Sequence, residues 1–173
     1  GANFETVYYE GYGTGGIAIL AEALTDNRNR TAPEVKKIFE RHGGSVGAAG
    51  CVQWMFTSKG QIAVPANGVD EDRIAEIALE AGADDYALSD DVWEITCEPT
   101  AFEPLRAALT LAGLAIQSAE LAMVPSTAIT VDAESGAKLL KLIDALEDHE
   151  DIQNVYANFE IPPDALDQLE AGG

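Results

Sequence analysis

The side chains best suited to chemistry form a basic cluster near the start of the chain. The cluster combines guanidinium, ammonium and amide groups: Arg28, Asn29, Arg30, Lys36, Lys37 and Arg41. Guanidinium groups form paired hydrogen bonds with phosphate and can stack on exposed bases, and amides contact sugar or phosphate. The cluster therefore indicates a nucleic-acid-binding site. The alternative is the solvated face of an amphipathic helix, which carries the same residue types.

The distribution of charge restricts any nucleic-acid contact to the beginning of the chain. The formal net charge is −20, yet residues 1–60 contain six acidic and six basic residues. Residues 61–173 contain twenty-four acidic and four basic residues and carry the whole excess. Because non-specific binding of nucleic acid consists largely of contacts between cations and phosphates, the acidic part is unsuited to it. Acidic surface can also serve solubility alone.

The sequence lacks the usual signs of catalysis, metal binding or a cofactor. It contains no G-x-S-x-G, C-x-x-C or H-E-x-x-H motif, and its carboxylates are spread over predicted surface. Cys51 and Cys97 stand alone, which favours a reduced cytoplasmic protein. Gly11, Gly13 and Gly16 fit G-x-G-x-x-G, but a dinucleotide fold needs a helix directly after the glycines. We therefore expect no enzyme, no metal, no cofactor and, since no apolar run is long enough, no membrane contact.

A hairpin and a helix are expected to position the basic cluster. Residues 7–9 and 17–20 are aliphatic or aromatic runs on either side of a glycine-rich turn, which is typical of a hairpin. Residues 26–30 are then expected to form a loop that projects from the sheet edge. Thr31 and Glu34 form a capping box, which predicts the start of a helix directly after this loop.

Two roles are open for the arginines of this predicted loop. Arg28 and Arg30 can point outward and bind phosphate, with the lysines and Arg41 continuing the patch along the helix. One or both can instead pair with Asp26, Glu10 or Glu34 and hold the loop in place.

A second hairpin is predicted within residues 52–64. Trp54 and Phe56 alternate with Gln53 and Met55, which indicates half-buried packing on a sheet. The alternative for an aromatic side chain here is stacking on a base.

The order of elements predicts an α+β fold with two domains. From residue 60 to residue 125 the pattern is βαββαβ, with two helices that each end at a glycine before a strand, and this order predicts a ferredoxin-like sandwich. Residues after 126 add a strand, a helix and a strand, which need a sheet to join. We expect antiparallel sheets with helices on one face, residues 1–65 together with 126–173 forming a discontinuous domain, and residues 66–125 forming the inserted domain.

Four strings resemble the YebC family of transcriptional regulators, which includes the mitochondrial translational activator of cytochrome c oxidase. They are YEGYG at 9–13, DNRNRT at 26–31, GCVQWMFTSKGQI at 50–62 and LIDALEDHEDIQNVYANFEIP at 142–162. The likeness covers nearly the whole chain, although Thr14 stands where the family usually has proline. The first string is expected to be a motif loop of Tyr9, Glu10, Gly11, Tyr12 and Gly13.

The resemblance implies a non-enzymatic regulator of gene expression. Its partner would be nucleic acid, either DNA in transcriptional regulation or ribosomal RNA and tRNA in translational activation, with the ribosome as a further partner. Members of the family begin with a basic helical domain, which the resemblance leads us to expect in the whole protein. The alternative is a protein-binding or small-ligand regulatory module, in which the acidic domain docks a basic partner without nucleic-acid contact.

Overall fold

The computed structural model describes residues 3–172; Gly1, Ala2 and Gly173, which the predicted first domain includes, lie outside them. The chain divides into two compact units. The first unit consists of the residues up to Phe56 and those from Pro125 onward, and the second unit is Thr57–Val124. The division falls after residue 56 rather than after residue 65, because the strand between these positions pairs within the sheet of the second unit.

The described residues form a mixture of strands and helices. The strands are β1 (Glu5–Tyr12), β2 (Ala18–Thr25), β3 (Ser45–Val46), β4 (Phe56–Pro65), β5 (Ala83–Ser89), β6 (Val92–Cys97), β7 (Ser118–Pro125), β8 (Ile129–Thr130), β9 (Ile152–Ala157) and β10 (Phe159–Glu160). The helices are α1 (Arg28–Arg41), α2 (Glu71–Glu80), α3 (Phe102–Leu111), α4 (Ala133–Glu147) and α5 (Pro163–Gly172). Short 3-10 turns cover Thr14–Gly16, Gln53–Met55 and Pro99–Ala101. Within residues 3–172, none of the helices combines the length and the apolar composition that crossing a membrane requires.

The first unit is built on a sheet with the strand order β3-β1-β2-β9. β1 pairs antiparallel with both β2 and β3, and β2 pairs antiparallel with β9. A strand from the end of the chain therefore completes the sheet that the first hairpin begins. β8 and β10 form a separate short parallel pair.

Helices α1 and α4 pack against this sheet around one apolar core. The core joins buried residues of β2, α1 and α4: Ile19, Ala21, Ala23, Val35, Phe39, Leu139, Leu142 and Leu146. The residues that β2 gives to this core are every second one along the strand, and those of the helices recur every three or four residues, as contact through one face requires. Burial of each large side chain stabilises the unit by roughly 1.5–3 kcal/mol.

The second unit has the predicted ferredoxin-like fold. Its sheet has the order β5-β6-β4-β7, and β6 pairs antiparallel with both of its neighbours. The elements follow one another as β4-α2-β5-β6-α3-β7, which is the predicted βαββαβ sequence. Apolar residues of α2 and α3 pack with one set of strand residues in a single core, which includes Ile62, Val64, Ile74, Ile95, Leu105 and Leu109. The predicted α+β class is confirmed.

The prediction of a hairpin within residues 52–64 is wrong. Residues 53–55 form a 3-10 turn, and β4 continues without a break from Phe56 to Pro65. Gly60 indicated a turn, but it lies inside the strand, where a Cβ atom would stand 2.7 Å from Sγ of Cys97 and 2.8 Å from the ring of Phe102. Glycine at this position allows close packing and does not reverse the chain.

Candidate nucleic-acid interface

The segment predicted to project as a loop contains the first turn of α1. Asn27 is the N-cap, and its side-chain oxygen accepts a hydrogen bond from the backbone N–H of Arg30 at 3.2 Å. Asparagine is among the strongest N-cap residues, so it starts the helix one turn before the capping box predicted at Thr31. The prediction of a loop over residues 26–30 is therefore wrong. Asn29 is helical and exposed.

Arg30 is paired with acidic side chains. Its guanidinium lies 2.8 Å from Oδ2 of Asp151 and 3.7 Å from Oδ1 of Asp26. Asp151 is only 7% exposed, and the hydroxyl of Thr31 donates a hydrogen bond of 2.7 Å to the same oxygen. Burial by itself would raise the pKa of Asp151, but the hydrogen bonds from Thr31 and Arg30 outweigh it and hold the pKa below its ordinary value. Arg30 thus ties the start of α1 to the turn before β9.

His149 makes a second contact between the same two regions. Its Nδ1 accepts a hydrogen bond from the backbone N–H of Asp151 at 3.1 Å, so the proton of the neutral ring lies on Nε2. Nε2 then donates to Oε2 of Glu34 at 2.6 Å. The neighbouring Asp148 and Glu150 do not join it in a metal site: across residues 3–172, no group of three or more His, Cys, Asp or Glu side chains is placed to hold an ion.

Arg28 pairs with Glu5 at the surface. The distance between its Nε and Oε1 of Glu5 is 2.9 Å, and both side chains are more than half exposed. An exposed ion pair contributes only about 0–1 kcal/mol to stability. The pair therefore adds little to stability, although it places a carboxylate beside the guanidinium of Arg28.

The other basic residues of α1 are exposed: Lys36, Lys37 and Arg41. Lys37 and Arg41 are four residues apart and share the side of the helix that also carries Arg30 and Glu34, whereas Lys36 is turned away by roughly 100°. Arg30 and Glu34 contact the turn that follows α4, so Lys37 and Arg41 continue along this side of α1 away from that turn.

Helix α4 supplies two further basic residues, Lys138 and Lys141. The helix begins after Asp132, whose side chain accepts a hydrogen bond from the backbone N–H of Ser135 at 2.8 Å. This hydrogen bond lowers the pKa of Asp132. The two lysines are three positions apart, so they share one side of the helix. Nζ of Lys138 lies 3.7 Å from Oε1 of Glu134, and both of these side chains are largely exposed.

Arg41 of α1 and the two lysines of α4 meet at a surface cavity of about 610 Å³. Its lining combines three cationic side chains, one histidine and two glycine turns: Thr14, Gly15, Arg41, His42, Gly43, Lys138 and Lys141. Gly15 and Gly43 have φ values of 76° and 77°, which side chains with a Cβ rarely adopt. None of these lining residues is acidic. We call this group the cationic cavity, and its charge suits a phosphate group.

The predicted motif loop at residues 9–13 is mostly strand, so that prediction is wrong. Tyr9 and Tyr12 lie in β1. A Cβ on Gly11 would overlap the carbonyl oxygen of Ser45, and one on Gly13 would stand 2.7 Å from Cδ2 of Leu139. These two glycines are needed for close packing and not for a turn.

Glu10 of the same motif has a structural partner. It is 4% exposed, and its Oε1 accepts backbone hydrogen bonds from Val52 at 3.0 Å and Gln53 at 2.6 Å. Its Oε2 accepts another from the backbone N–H of Gly50. Tyr9 packs against the core beneath the helices, so its neighbour Glu10 points to the opposite face of the sheet. The carboxylate thereby fastens residues 50–53 to that face.

Sequence reasoning missed Lys138, Lys141 and the partners of Glu10. The two lysines lie in the strongly acidic part of the chain, about one hundred residues after Arg41, and only the fold brings them beside it. They are the two basic residues that follow Arg106, and their spacing of three on a predicted helix was available as an indication.

Comparison with known proteins finds a matching family model and closely similar sequences. Residues 4–159 match the family model described as the TACO1/YebC second and third domain. A "Probable transcriptional regulatory protein" of Solidesulfovibrio magneticus is 51% identical over 162 residues, which cover 94% of this chain and 66% of that protein. A protein of the same description from Pelotomaculum thermopropionicum is 51% identical over 163 residues, covering 93% of this chain and 67% of its own length.

A solved structure has the same fold. The crystal structure of a conserved hypothetical protein from Aquifex aeolicus superposes with a TM-score of 0.84 at 43% sequence identity. The match covers 94% of this chain and 67% of that one. The chain thus spans about two thirds of the length of the relatives that it matches.

Proposed function

The chain belongs to the TACO1/YebC family, and we propose that it is a non-enzymatic regulator of gene expression whose first unit binds nucleic acid at the cationic cavity. The description of its relatives as probable transcriptional regulatory proteins supports the regulatory role. The nucleic acid is DNA if the protein acts in transcription, and ribosomal RNA or tRNA if it acts in translation. In the second case the ribosome is the partner.

The observation that carries the proposal is the clustering of cations in an acidic molecule. The first unit contains seventeen acidic and seven basic residues. Three of those seven, Arg41, Lys138 and Lys141, line one cavity whose lining includes no acidic side chain. Arg28 and Arg30 lie within 2.9 Å of carboxylates, whereas Lys138 lies 3.7 Å from the largely exposed Glu134 of its own helix. Because each cation that contacts a phosphate releases a condensed counterion, such a cluster gives salt-dependent binding.

The test compares two pairs of substitutions that remove the same charge. Lys138→Ala with Lys141→Ala changes the proposed site, and Arg73→Ala with Arg106→Ala changes two helical residues of the second unit. The affinity for an RNA and for a DNA oligonucleotide is measured as a function of salt concentration. For the first pair, we expect weaker binding and a slope of log K against log salt reduced by roughly 1.4–1.8, the effect of two lost phosphate contacts.

The control pair is expected to keep the parent slope. If both pairs weaken binding equally, only the net charge matters and the cationic cavity is not the site. If neither pair of substitutions changes binding, the cationic cavity does not contact the phosphates of the nucleic acid. Sedimentation of the whole protein with ribosomes then separates the translational form of the proposal from the transcriptional one.

A second candidate function, binding of a protein partner, is favoured by an apolar groove in the second unit. The groove has a volume of about 580 Å³ and is lined by Ile77, Glu80, Ala81, Pro104, Ala108 and Leu111. Leu111 is 88% exposed, and the unit contains thirteen acidic and three basic residues. An amphipathic segment with basic flanks would fit this surface. If Leu111→Asp leaves the binding of such a peptide unchanged, this candidate fails.

A further inference from the structure

Trp54 is exposed to a degree that is unusual for its residue type. Its side chain is 74% exposed, whereas Trp93, the other tryptophan of the chain, is 6% exposed and donates its indole N–H to the carbonyl of Val69. Tryptophan is highly buried on average. The indole N–H of Trp54 donates to the carbonyl oxygen of Cys51 at 3.0 Å, so the one polar group of the ring is already satisfied and the apolar faces are what it offers.

The backbone around Trp54 is held rigidly. The buried carboxylate of Glu10 accepts hydrogen bonds from the backbone N–H groups of Gly50, Val52 and Gln53. These three residues lie just before Trp54 in the chain. A carboxylate is expensive to bury unless it is fully hydrogen-bonded, and this one is used to fasten the segment. On the other side Phe56 is 6% exposed. Trp54 therefore stands on an anchored 3-10 turn and does not belong to a flexible loop.

The sequence around Trp54 differs in charge from the rest of the chain. No acidic residue occurs from Arg41 to Val69, which is the longest stretch without aspartate or glutamate in a chain of net charge −20. The exposed residues nearest in sequence are small or neutral and polar: Ala48, Ala49, Gly50, Gln53, Thr57 and Ser58. A protein-binding hot spot is usually surrounded by a ring of packed neighbours. The carboxylate of Glu10, which accepts hydrogen bonds from this segment, is buried. An exposed aromatic ring in a segment without exposed acidic residues instead suits a base on a negatively charged strand.

We propose that Trp54 is a stacking platform for an unpaired nucleobase, so that the first unit prefers single-stranded segments and loops to duplex. This inference rests on the proposed nucleic-acid-binding function and names the form of nucleic acid that is bound. Every base has an aromatic face, so stacking is tolerant of sequence. A base inside a duplex offers no free face, which is why stacking selects loops, bulges and single strands.

The test measures binding of the 173-residue chain to a short oligouridylate and to a fully paired RNA duplex of the same length. Trp54→Ala is expected to weaken binding of the single strand by roughly tenfold, within the range known for stacked bases. Trp54→Phe retains an aromatic ring and is expected to lose less affinity for the single strand than Trp54→Ala. Phe4→Ala, which removes another exposed aromatic side chain of the first unit, is the matched control and is expected to have no effect. Binding of the duplex is expected to be unchanged in all three variants.

Fluorescence of the unaltered protein gives a second readout that needs no substitution. Oligouridylate is expected to quench the emission of the exposed indole, while the emission of the buried Trp93 persists. The inference is overturned if this quenching is absent, or if Trp54→Ala lowers single-strand and duplex binding to the same extent.

The failure of this inference differs from the failure of the proposed function. If Trp54→Ala binds like the parent while the Lys138 and Lys141 substitutions weaken binding, the stacking platform is wrong and the proposed function stands. If none of these substitutions changes binding, both are wrong.

Discussion

The two ends of helix α1 carry the same kinds of basic residue in opposite circumstances. At its start, Arg28 lies against Glu5, and Arg30 lies against Asp151 and Asp26. At its end, Arg41 lines a cavity with Lys138 and Lys141. The first turn of α1 meets the turn after α4, and its last turn meets the first half of α4, so the two helices are antiparallel. The fold therefore places one group of cations against carboxylates of other segments and gathers the other group at one cavity.

This difference shows that the number of basic residues in a segment does not measure their availability. The sequence predicts a binding site at residues 28–30, where arginine and asparagine alternate. Arg30, however, compensates a buried carboxylate, and removing it would leave Asp151 without this cationic partner. The cationic cavity draws on two distant segments and lies where acidic partners are absent from the lining.

The largest effect that distinguishes the two ends is expected for Asp151→Ala. This change leaves the guanidinium of Arg30 and the hydroxyl of Thr31 without their shared acceptor, which we expect to lower the free energy of unfolding by roughly 2–3 kcal/mol. Chemical denaturation of the parent and the variant measures this difference in the free energy of unfolding. Binding of oligonucleotides by the folded fraction should be unaffected, because the change lies at the structural end. A stable Asp151→Ala variant would show that Arg30 is not held for structure.

A smaller effect is expected on acidification. The pKa of Asp151 is lower in the folded protein than its ordinary value of 3.8, so its contribution to stability is complete above that value. The contribution is lost as the pH falls through 3.8 toward the folded-state pKa. Thermal unfolding between neutral pH and pH 3 is the measurement, with Asp151→Asn as the control. The parent is expected to lose more stability than this variant over the interval; equal losses would contradict the assignment.

The smallest effect is expected for Arg28→Ala. Its partner Glu5 is exposed, so we expect a loss of stability below about 1 kcal/mol. Denaturation of this variant beside Arg30→Ala, which should lose clearly more, sharpens the contrast between the two arginines. If the two variants are equally stable, the buried position of Asp151 does not make the ion pair of Arg30 more stabilising than that of Arg28.

The fold was largely predictable because its determinants are local. Alternating apolar residues and helical spacing identify the strands and helices, and their order suffices for the ferredoxin-like unit. The start of α1 was misplaced, since two N-caps compete there: Asn27 takes the role, and Thr31 is bound instead to Asp151, one hundred and twenty positions away. Local patterns contain no information about such a partner.

The candidate site was less predictable, because its members meet only in the folded chain. Arg41 is visible as part of a basic helix, but Lys138 and Lys141 stand in an acidic region and carry no motif. Trp54 and Phe56 share a pattern in the sequence, yet Phe56 is buried and Trp54 is exposed. Their difference depends on the turn that Glu10 holds, and the hydrogen bonds of Glu10 span more than forty positions.

The most direct test of the central claim reverses one charge at the start of α1 and one in the cationic cavity beside its end. Arg28→Glu and Lys141→Glu change the net charge equally, and both residues are exposed. Salt-dependent affinity for a single-stranded RNA is the measurement. Lys141→Glu should weaken binding and lower the slope of log K against log salt by about 0.7, the value for one phosphate contact of a single strand, while Arg28→Glu should preserve both. Equal losses from the two variants, or full binding by Lys141→Glu, would contradict the account.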